Sequence, residues 1–394
     1  MTKNKHVEFK DLAKLAKALK KKGRRVVFTT GSFELITPGH CRFLAEAKAL
    51  GDTLVVGLCS DRSITKIKGP DFPLLNQTAR MEMLGYLKSV DYLTIIDEGE
   101  PHTSIVLLEP DIFYVSQKEL DNGNVDEQAL FLLKKRKGKL MIRKDDHPYK
   151  SARDLIEHVA NIRFLEIVAG YLWAQNIAFD LNAVANFKPA DYGQQVPNNA
   201  KAFRPADYIF RDADKLCQKL QKTGCKKPVF VSGSFDLLHV GHARFVEQAA
   251  KLGDCLIVGI PSDEKIRAKK GYGRPIINEF SRAYVLVNLL PVNYVYIFDD
   301  ETVAPALRSL KPAVFFTVDE DWNKGVKKSA EYKIVKDYGG KVVLKPRQSP
   351  YLSSSTMINK MAYKKVKEIF GDCLQDDKFK AMLQENGRMG PVKG

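Results

Sequence analysis

Apolar residues recur along the chain in two kinds of run. Short continuous runs bounded by Gly, Pro or charged residues are typical of buried strands, and apolar residues three and four apart are typical of helices. The strands predicted in the amino-terminal half are Arg25–Thr30, Thr53–Cys59, Tyr92–Ile96, Ile112–Val115 and Lys139–Ile142. The helices predicted around them are Val7–Lys22, Cys41–Leu50 and Ala79–Leu87. Strands that alternate with helices indicate an α/β fold with a doubly wound parallel sheet.

One turn in the second half combines several features of a phosphate site. The predicted strand Pro228–Val231 leads into Gly233-Ser234-Phe235-Asp236-Leu237-Leu238-His239-Val240-Gly241-His242, and Ala243–Leu252 then has helical spacing. Glycine lets the backbone approach a ligand closely, and the N–H groups at a helix start favour an anion. His239 and His242 are near enough in sequence to face one bound group. For either histidine alone a surface turn is the simpler interpretation, but the whole string favours a phosphate site.

The same string occurs a second time. Gly31-Ser32-Phe33-Glu34-Leu35-Ile36-Thr37-Pro38-Gly39-His40 matches it at the shift of 202 residues that takes Gly31 to Gly233. That shift also pairs Ser60-Asp61 with Ser262-Asp263, Lys68-Gly69 with Lys270-Gly271, Pro73 with Pro275, and Arg80 with Arg282. A shift that holds over this length indicates a duplicated domain. We therefore predict two tandem Rossmann-like domains, with a degenerate copy in 1–160, a helical segment and linker in 161–207, an intact copy in 208–363, and a helix and flexible tail in 364–394.

Composition places the chain among ordinary globular proteins. Of its 394 residues 44% are hydrophobic and 28% charged, and no apolar run approaches the ~20 residues that span a bilayer. The six cysteines form no CxxC pair, and the start of the chain has no secretory signal, so we expect free thiols and a cytoplasmic protein. The net charge of +16 could attract nucleic acid. Because the basic clusters carry no interleaved aromatic residues, a nucleic-acid partner is the less favoured interpretation. Because no apolar run is long enough to span a bilayer, we expect no membrane partner.

The order of motifs resembles a known family. A strand, GSFDLLHVGH and a helix, followed by SD, KG, an RP pair and a later Arg, are similar to the HxGH nucleotidyltransferase superfamily, which is cytidylyltransferase-like. The second copy most resembles the adenylyltransferase half of bacterial ADP-heptose synthase. The segments that carry this closer resemblance are Gly271–Ile276, Arg282, Phe298–Thr302 and Gly339–Val343. The tandem arrangement is similar to that of eukaryotic phosphoethanolamine cytidylyltransferase.

The resemblance implies transfer of a nucleoside monophosphate. A phosphate oxygen of the acceptor would attack the α-phosphorus of ATP or CTP in line, and pyrophosphate would leave. The catalytic residues that it implies are His239, His242, Lys270 and Arg282. The nucleotide-binding residues that it implies are Gly233, Ser234, Phe235, Asp236, Gly241, Asp263, Ser353, Ser354, Ser355 and Thr356. A solvated lysine, a helix-surface arginine and a plain helix cap remain the alternatives for Lys270, Arg282 and the Ser/Thr run.

The resemblance also implies Mg²⁺ as the counterion of the triphosphate. Asp236 and Asp263 are candidates to hold waters around the ion or to orient the loop. No dedicated metal cage is visible in the sequence.

Both copies depart from the family pattern. In the first, Thr37 and Glu34 replace the first histidine and the aspartate, and Asp154 falls near the expected phosphates, so we expect weak or absent catalysis there. In the second, Phe316–Trp322 lacks the lysine and glycines of a KGGD-like stretch, which leaves the base and the acceptor open.

Three functional hypotheses follow. The first is transfer from ATP or CTP to a small phosphorylated acceptor, such as heptose 1-phosphate or a polyol phosphate. The second is a CTP-dependent enzyme of the phosphoethanolamine or glycerol-phosphate type, and the third is a non-catalytic nucleotide-binding scaffold. We expect a homodimer or a pairing of the two domains within the chain.

Overall fold

The computed structural model describes most of the two repeated regions. The described residues are 5–70, 72–97, 102–121, 125, 127–143, part of 155–169, 204–271, 273–322 and 325–346. They divide into two compact units, of which the first holds 5–143 with 204–205 and 288–290, and the second holds the rest. Each unit contains one parallel sheet.

The first sheet has five strands in the order β3-β2-β1-β4-β5. These are β1 (Val26–Gly31), β2 (Thr53–Cys59), β3 (Tyr92–Ile96), β4 (Ile112–Ser116) and β5 (Lys139–Arg143). The helices are α1 (Leu12–Lys21), α2 (Pro38–Ala49), α3 (Asp61–Lys68), α4 (Gln77–Gly85), α5 (His102–Leu108), α6 (Gln117–Asp121) and α7 (Glu127–Lys135). The five predicted strands are confirmed, while α1 begins later than predicted, after a 3-10 turn at Phe9–Asp11. Helix α2 begins earlier, because Thr37 caps it and Pro38 fits its first turn.

The second sheet repeats this plan and adds an edge strand. Its order is β11-β10-β7-β8-β9-β6, and every pairing is parallel. The strands are β6 (Ile209–Phe210), β7 (Pro228–Ser232), β8 (Cys255–Pro261), β9 (Tyr294–Phe298), β10 (Val314–Val318) and β11 (Lys341–Lys345). The helices are α8 (Ala213–Lys222), α9 (Val240–Ala250), α10 (Asp263–Lys270), α11 (Glu279–Val287), α12 (Ala304–Leu310) and α13 (Ala330–Asp337). The α/β fold with two doubly wound parallel sheets is therefore confirmed; β6 was not predicted.

The same aromatic pair lies in the core of each unit. Phe28 and Phe113 join the neighbouring strands β1 and β4, with ring centroids 5.7 Å apart. Phe230 and Phe315, at the equivalent positions of β7 and β10, lie 6.4 Å apart. All four side chains are buried. Each pair lies on one face of its sheet, because register partners in parallel strands point the same way. Parallel sheets are covered on both faces, which places ligand contacts beyond the carboxyl ends of the strands.

The expectation of free thiols is wrong for two cysteines. Cys225, just before β7, and Cys255, the first residue of β8, form a disulfide. The neighbouring parallel strands bring them together across 30 residues of sequence, a separation that a search for CxxC pairs does not detect. Cys41, Cys59 and Cys217 are free. The argument from reduced thiols to a cytoplasmic location is weakened by this bridge.

Among the described residues, no helix has the length and apolar character that a membrane span requires. Most of the predicted helical segment and linker, together with Ser353–Thr356 and the tail from Lys364, lies outside the described residues. The domain boundaries stay predictions.

Candidate active site

The turn between β7 and α9 adopts a backbone that only a few residues tolerate. Phe235 has a φ of 47°, in the left-handed region that is uncommon for residues other than glycine. Its ring lies over Gly233, where an added Cβ would come within 3.0 Å of the ring. Phe235 and Leu237 are buried. The glycine therefore makes room for the aromatic anchor of the turn, and such strain is concentrated at functional sites.

The two predicted imidazoles lie together at the start of α9. Their ring centroids are 3.8 Å apart and the rings are stacked. The Nδ1 atom of His239 accepts from the backbone N–H of Gly241 at 3.2 Å, and Nδ1 of His242 accepts from the N–H of His239 at 3.4 Å. An Nδ1 atom that accepts leaves Nε2 as the protonated nitrogen of each neutral ring. The site thus offers two imidazole donors beside the N–H groups of a helix start.

Asp236 joins this turn to the segment that follows α10. Its buried carboxylate accepts from Nη1 of Arg274 at 2.7 Å and from the backbone N–H groups of Ile276 and Ile277 at 2.8 and 3.0 Å. Of the two roles predicted for Asp236, these contacts favour orientation of the loop. Its oxygens are engaged by the chain itself.

Arg282 is a second connection to the same turn. Its guanidinium is buried and donates to the main-chain oxygens of Ser234 (2.8 Å) and Pro261 (2.8 Å) and, through Nε, to Ile277 (3.1 Å). The fourth bond goes to Oδ1 of Asp263 at 2.9 Å. Arg282 is therefore not the helix-surface arginine of the simpler interpretation, and its geometry is that of a positioning residue. A direct contact with phosphate stays a prediction.

Two ionisable groups near Arg282 have pKa values shifted from their usual ranges. Burial raises the pKa of Asp263, and the hydrogen bond and charge of Arg282 oppose that rise. Lys270, the last residue of α10, has a pKa lowered to about 8, first by burial and next by the nearby charge of Arg274, with Asp236 opposing. Lys270 is therefore a partly buried lysine among charges rather than a solvated one.

A cavity of about 310 Å³ lies where β10 and β11 end. It is lined by Asp319, Glu320, Trp322, Leu344, Lys345 and Pro346. The indole N–H of Trp322 donates to Oγ1 of Thr317 at 3.2 Å, which fixes the ring beside the opening. This is the stretch that lacks the KGGD-like residues. Its aromatic ring and carboxylates suit a base that carries an amino group.

The first unit has the same framework with different groups. Arg80 donates to the main-chain oxygens of Leu75, Ser32 and Cys59, as Arg282 does in its unit. Thr37 caps α2 in the position of His239 and contacts Nδ1 of His40. Burial lowers the pKa of His40 to about 4, so its ring is neutral near pH 7. The framework that holds the turn is thus retained where the histidine pair is not.

A family model, described as cytidylyltransferase-like, matches residues 28–162 and 230–361. The chain belongs to the cytidylyltransferase-like family. The two matched segments coincide with the two copies of the histidine motif, so the predicted membership and duplication are confirmed.

The chain is also similar to curated proteins and to a solved structure. The chain is 41% identical over 135 residues to the bifunctional protein HldE of Aliarcobacter butzleri, which is 34% of this chain and 28% of that protein. It is 41% identical over 172 residues to HldE of Geobacter metallireducens, which is 41% of this chain and 34% of that protein. The match thus spans only about a third of each relative. A lipopolysaccharide core biosynthesis protein from Thermoplasma volcanium is 28% identical, with 31% of this chain and 96% of that one covered and a TM-score of 0.27.

The structure therefore brings together the turn, both histidines, Asp236, Asp263 and Arg282. Lys270 lies near Arg274 and Asp236. Ser353, Ser354, Ser355 and Thr356 lie outside the described residues, so their convergence on the turn stays a prediction. The sequence analysis named Arg274 only as part of the RP pair and assigned it no role at the site. The signal was present, because the shift of 202 pairs it with Phe72, and a basic residue appears only in the copy with both histidines.

Proposed function

We propose that the second unit transfers a nucleoside monophosphate from ATP or CTP to a small phosphorylated acceptor and releases pyrophosphate. The observation that carries the proposal is the stacked pair His239 and His242 at the start of α9. The HldE relatives support a sugar phosphate as the acceptor, with heptose 1-phosphate as the first to test. A polyol phosphate is the next.

The reaction needs little proton transfer. A phosphate oxygen of the acceptor, already anionic near neutral pH, forms a bond to the α-phosphorus as the bond to the bridging oxygen of pyrophosphate breaks. Catalysis then consists of holding two polyanions in line and stabilising the charge that develops. The Nε2 donors of the two imidazoles would face the α-phosphate, and the Lys270 ammonium would neutralise the leaving pyrophosphate.

Mg²⁺ would enter with the triphosphate. Both oxygens of Asp236 are engaged by Arg274, Ile276 and Ile277, and Oδ1 of Asp263 is engaged by Arg282, so these two carboxylates leave at most Oδ2 of Asp263 for a metal ion. Among the described residues the one cluster with metal-ligand spacing is Cys225, Asp254 and Cys255, and its cysteines are bridged. Phosphate oxygens and water would therefore hold the ion, which would supply charge neutralisation.

The first unit is proposed to be catalytically inactive. It has Thr37 in place of the first histidine, and the buried carboxylate of Glu34 lies 2.6 Å from Nζ of Lys68, so the equivalent lysine is already paired. The predicted homodimer or pairing of domains, and the cytoplasmic location, are proposals to be tested by light scattering and by localisation of the tagged chain.

A screen of pyrophosphate release tests the function. ATP and CTP are each combined with heptose 1-phosphate, glycerol 3-phosphate, phosphoethanolamine and phosphocholine. Release with a sugar phosphate supports the leading proposal, and release only with CTP and an alcohol phosphate supports the cytidylyltransferase alternative. Nucleotide binding without release from any pair would favour a non-catalytic scaffold.

A further inference from the structure

The lysines that end the equivalent helices α3 and α10 differ in their partners. In the first unit Nζ of Lys68 lies 2.6 Å from Oε1 of Glu34 and 3.2 Å from Oγ of Ser32. The other carboxylate oxygen of Glu34 accepts from the backbone N–H of Leu74 at 3.0 Å. Phe72 lies beside this pair, with its ring centroid 5.8 Å from Nζ. The lysine of the first unit is thus held by the carboxylate of its own motif.

In the second unit an arginine, and not the lysine, pairs with the carboxylate of the motif. Asp236 is one methylene shorter than Glu34, and Arg274 stands where the first unit has Phe72. The carboxylate of Asp236 is occupied by Arg274 and by two backbone N–H groups. The side-chain ammonium of Lys270 donates no hydrogen bond to any atom of the described residues, although its pKa responds to the charges of both Asp236 and Arg274.

We propose that Arg274 is a positioning residue that holds Asp236 and thereby leaves the Lys270 ammonium for the triphosphate. This inference rests on the proposed function, and it explains how the second unit keeps the Lys270 ammonium available to the nucleotide. A guanidinium suits this task because it remains charged and its planar fork matches a carboxylate. A phenylalanine cannot make that pairing, so the lysine of the first unit fills the position instead.

The electrostatics agree with this exchange of partners. Two cations, Lys270 and Arg274, lie near the carboxylate of Asp236, with Lys269 close by. The buried Arg282 is paired with Asp263, so the cations of this group still outnumber its carboxylates. Burial and the charge of Arg274 lower the pKa of Lys270 to about 8. A polyphosphate that enters this group would supply the missing negative charge. The arrangement therefore favours binding of an anion over an internal ion pair.

The test exchanges the residues that differ between the units. Arg274→Phe copies the first unit, and Arg274→Lys is the conservative variant. The pKa of Lys270 is measured in the full-length protein by competitive acetylation across a pH series, with mass spectrometry of the peptide that carries it. This readout needs no turnover. In parallel, the KM for the nucleotide and kcat are measured by pyrophosphate release with the acceptor identified in the screen.

In the wild type we expect a labelling midpoint near pH 8. In Arg274→Phe the lysine should pair with Asp236, so the midpoint should rise by at least about one pH unit and the KM for nucleotide by about tenfold or more, with a smaller change in kcat. In Arg274→Lys the labelling midpoint and the KM for nucleotide should both lie between those of Arg274→Phe and the wild type. In the double variant Arg274→Phe, Asp236→Asn the midpoint should return toward the wild-type value, because no carboxylate remains to hold the lysine.

An unchanged midpoint and KM in Arg274→Phe would overturn the inference. If that variant does not fold, Arg274→Ala gives the same test, because it also removes the donor that occupies the Asp236 carboxylate; a midpoint that stays near pH 8 there would equally overturn it. Absence of pyrophosphate release by the wild type with every acceptor would instead overturn the proposed function, while the labelling would still decide whether Arg274 controls Lys270.

Discussion

Nη1 of Arg282 donates to the main-chain oxygen of Ser234 at 2.8 Å, and this bond ties α11 to the turn that carries the histidines. Arg282→Met would leave the Ser234 oxygen and the Asp263 carboxylate without this donor. Breaking a buried pair by removing one partner costs about 3–5 kcal/mol. We expect a loss of that order in the free energy of unfolding, measured by chemical denaturation, and a loss of pyrophosphate release in the protein that remains folded.

Arg80→Met is the matched control, because Arg80 makes the equivalent bond to Ser32 at 2.6 Å. It should destabilise its own unit by a similar amount and leave transfer within about tenfold of the wild type. Equal losses of transfer in both variants would contradict the assignment of the reaction to the second unit.

The disulfide Cys225–Cys255 encloses β7, the turn and α9. Constraining a loop of about 30 residues in the unfolded chain contributes roughly 3–4 kcal/mol in the chain-entropy model. Cys255→Ser should lower the free energy of unfolding by about that amount, and a reductant should do the same to the wild type. Cys217→Ser, at a free thiol, should change it little. A reductant that leaves the stability unchanged would contradict this account.

The lowered pKa of Lys270, about 8, predicts a pH dependence of the reaction. Only the protonated ammonium attracts phosphate, so the protonated fraction falls as pH rises through about 8. The kcat/KM for nucleotide should decline with a midpoint near that pH, measured between about pH 6.5 and 9.5. Lys270→Ala should lack this limb of the profile. A wild-type profile that stays flat to about pH 9.5 would contradict the role of the lysine.

Substitution of Trp322 tests whether the cavity at the ends of β10 and β11 binds the base of the nucleotide. Stacking of a base on an aromatic side chain is worth about 1–3 kcal/mol. Trp322→Ala should therefore raise the KM for nucleotide by about tenfold and leave kcat within about twofold. Trp322→Phe keeps a ring and should recover most of the affinity. An unchanged KM in the alanine variant would place the base elsewhere.

The sequence predicts the repeated scaffold well because each strand and turn is marked by a pattern within a short stretch of sequence. Buried β-branched runs mark the strands of both sheets, and the repeated glycine–serine–phenylalanine string marks the turn at the end of β1 and of β7. The edge strand β6 escapes prediction because its two residues, Ile209 and Phe210, are too short to show a period.

Other features depend on distant partners. Nothing in the local pattern shows that Arg282 points inward, since a helix-surface arginine would have the same neighbours in sequence. The bridge between Cys225 and Cys255 is decided by strand pairing. The role of Arg274 emerges only when its contact with Asp236 is compared with the pair Glu34 and Lys68.

The most direct measurement compares His242→Ala with His40→Ala in the full-length protein, by pyrophosphate release with ATP or CTP and a sugar phosphate. The two positions are equivalent under the repeat, and among the described residues only His242 has a second imidazole stacked against it. We predict that His242→Ala loses at least about a hundredfold in kcat, while His40→Ala stays within about threefold of the wild type. Retention of activity by His242→Ala, or its loss only in His40→Ala, would contradict the claim that the histidine pair of the second unit is the site of transfer.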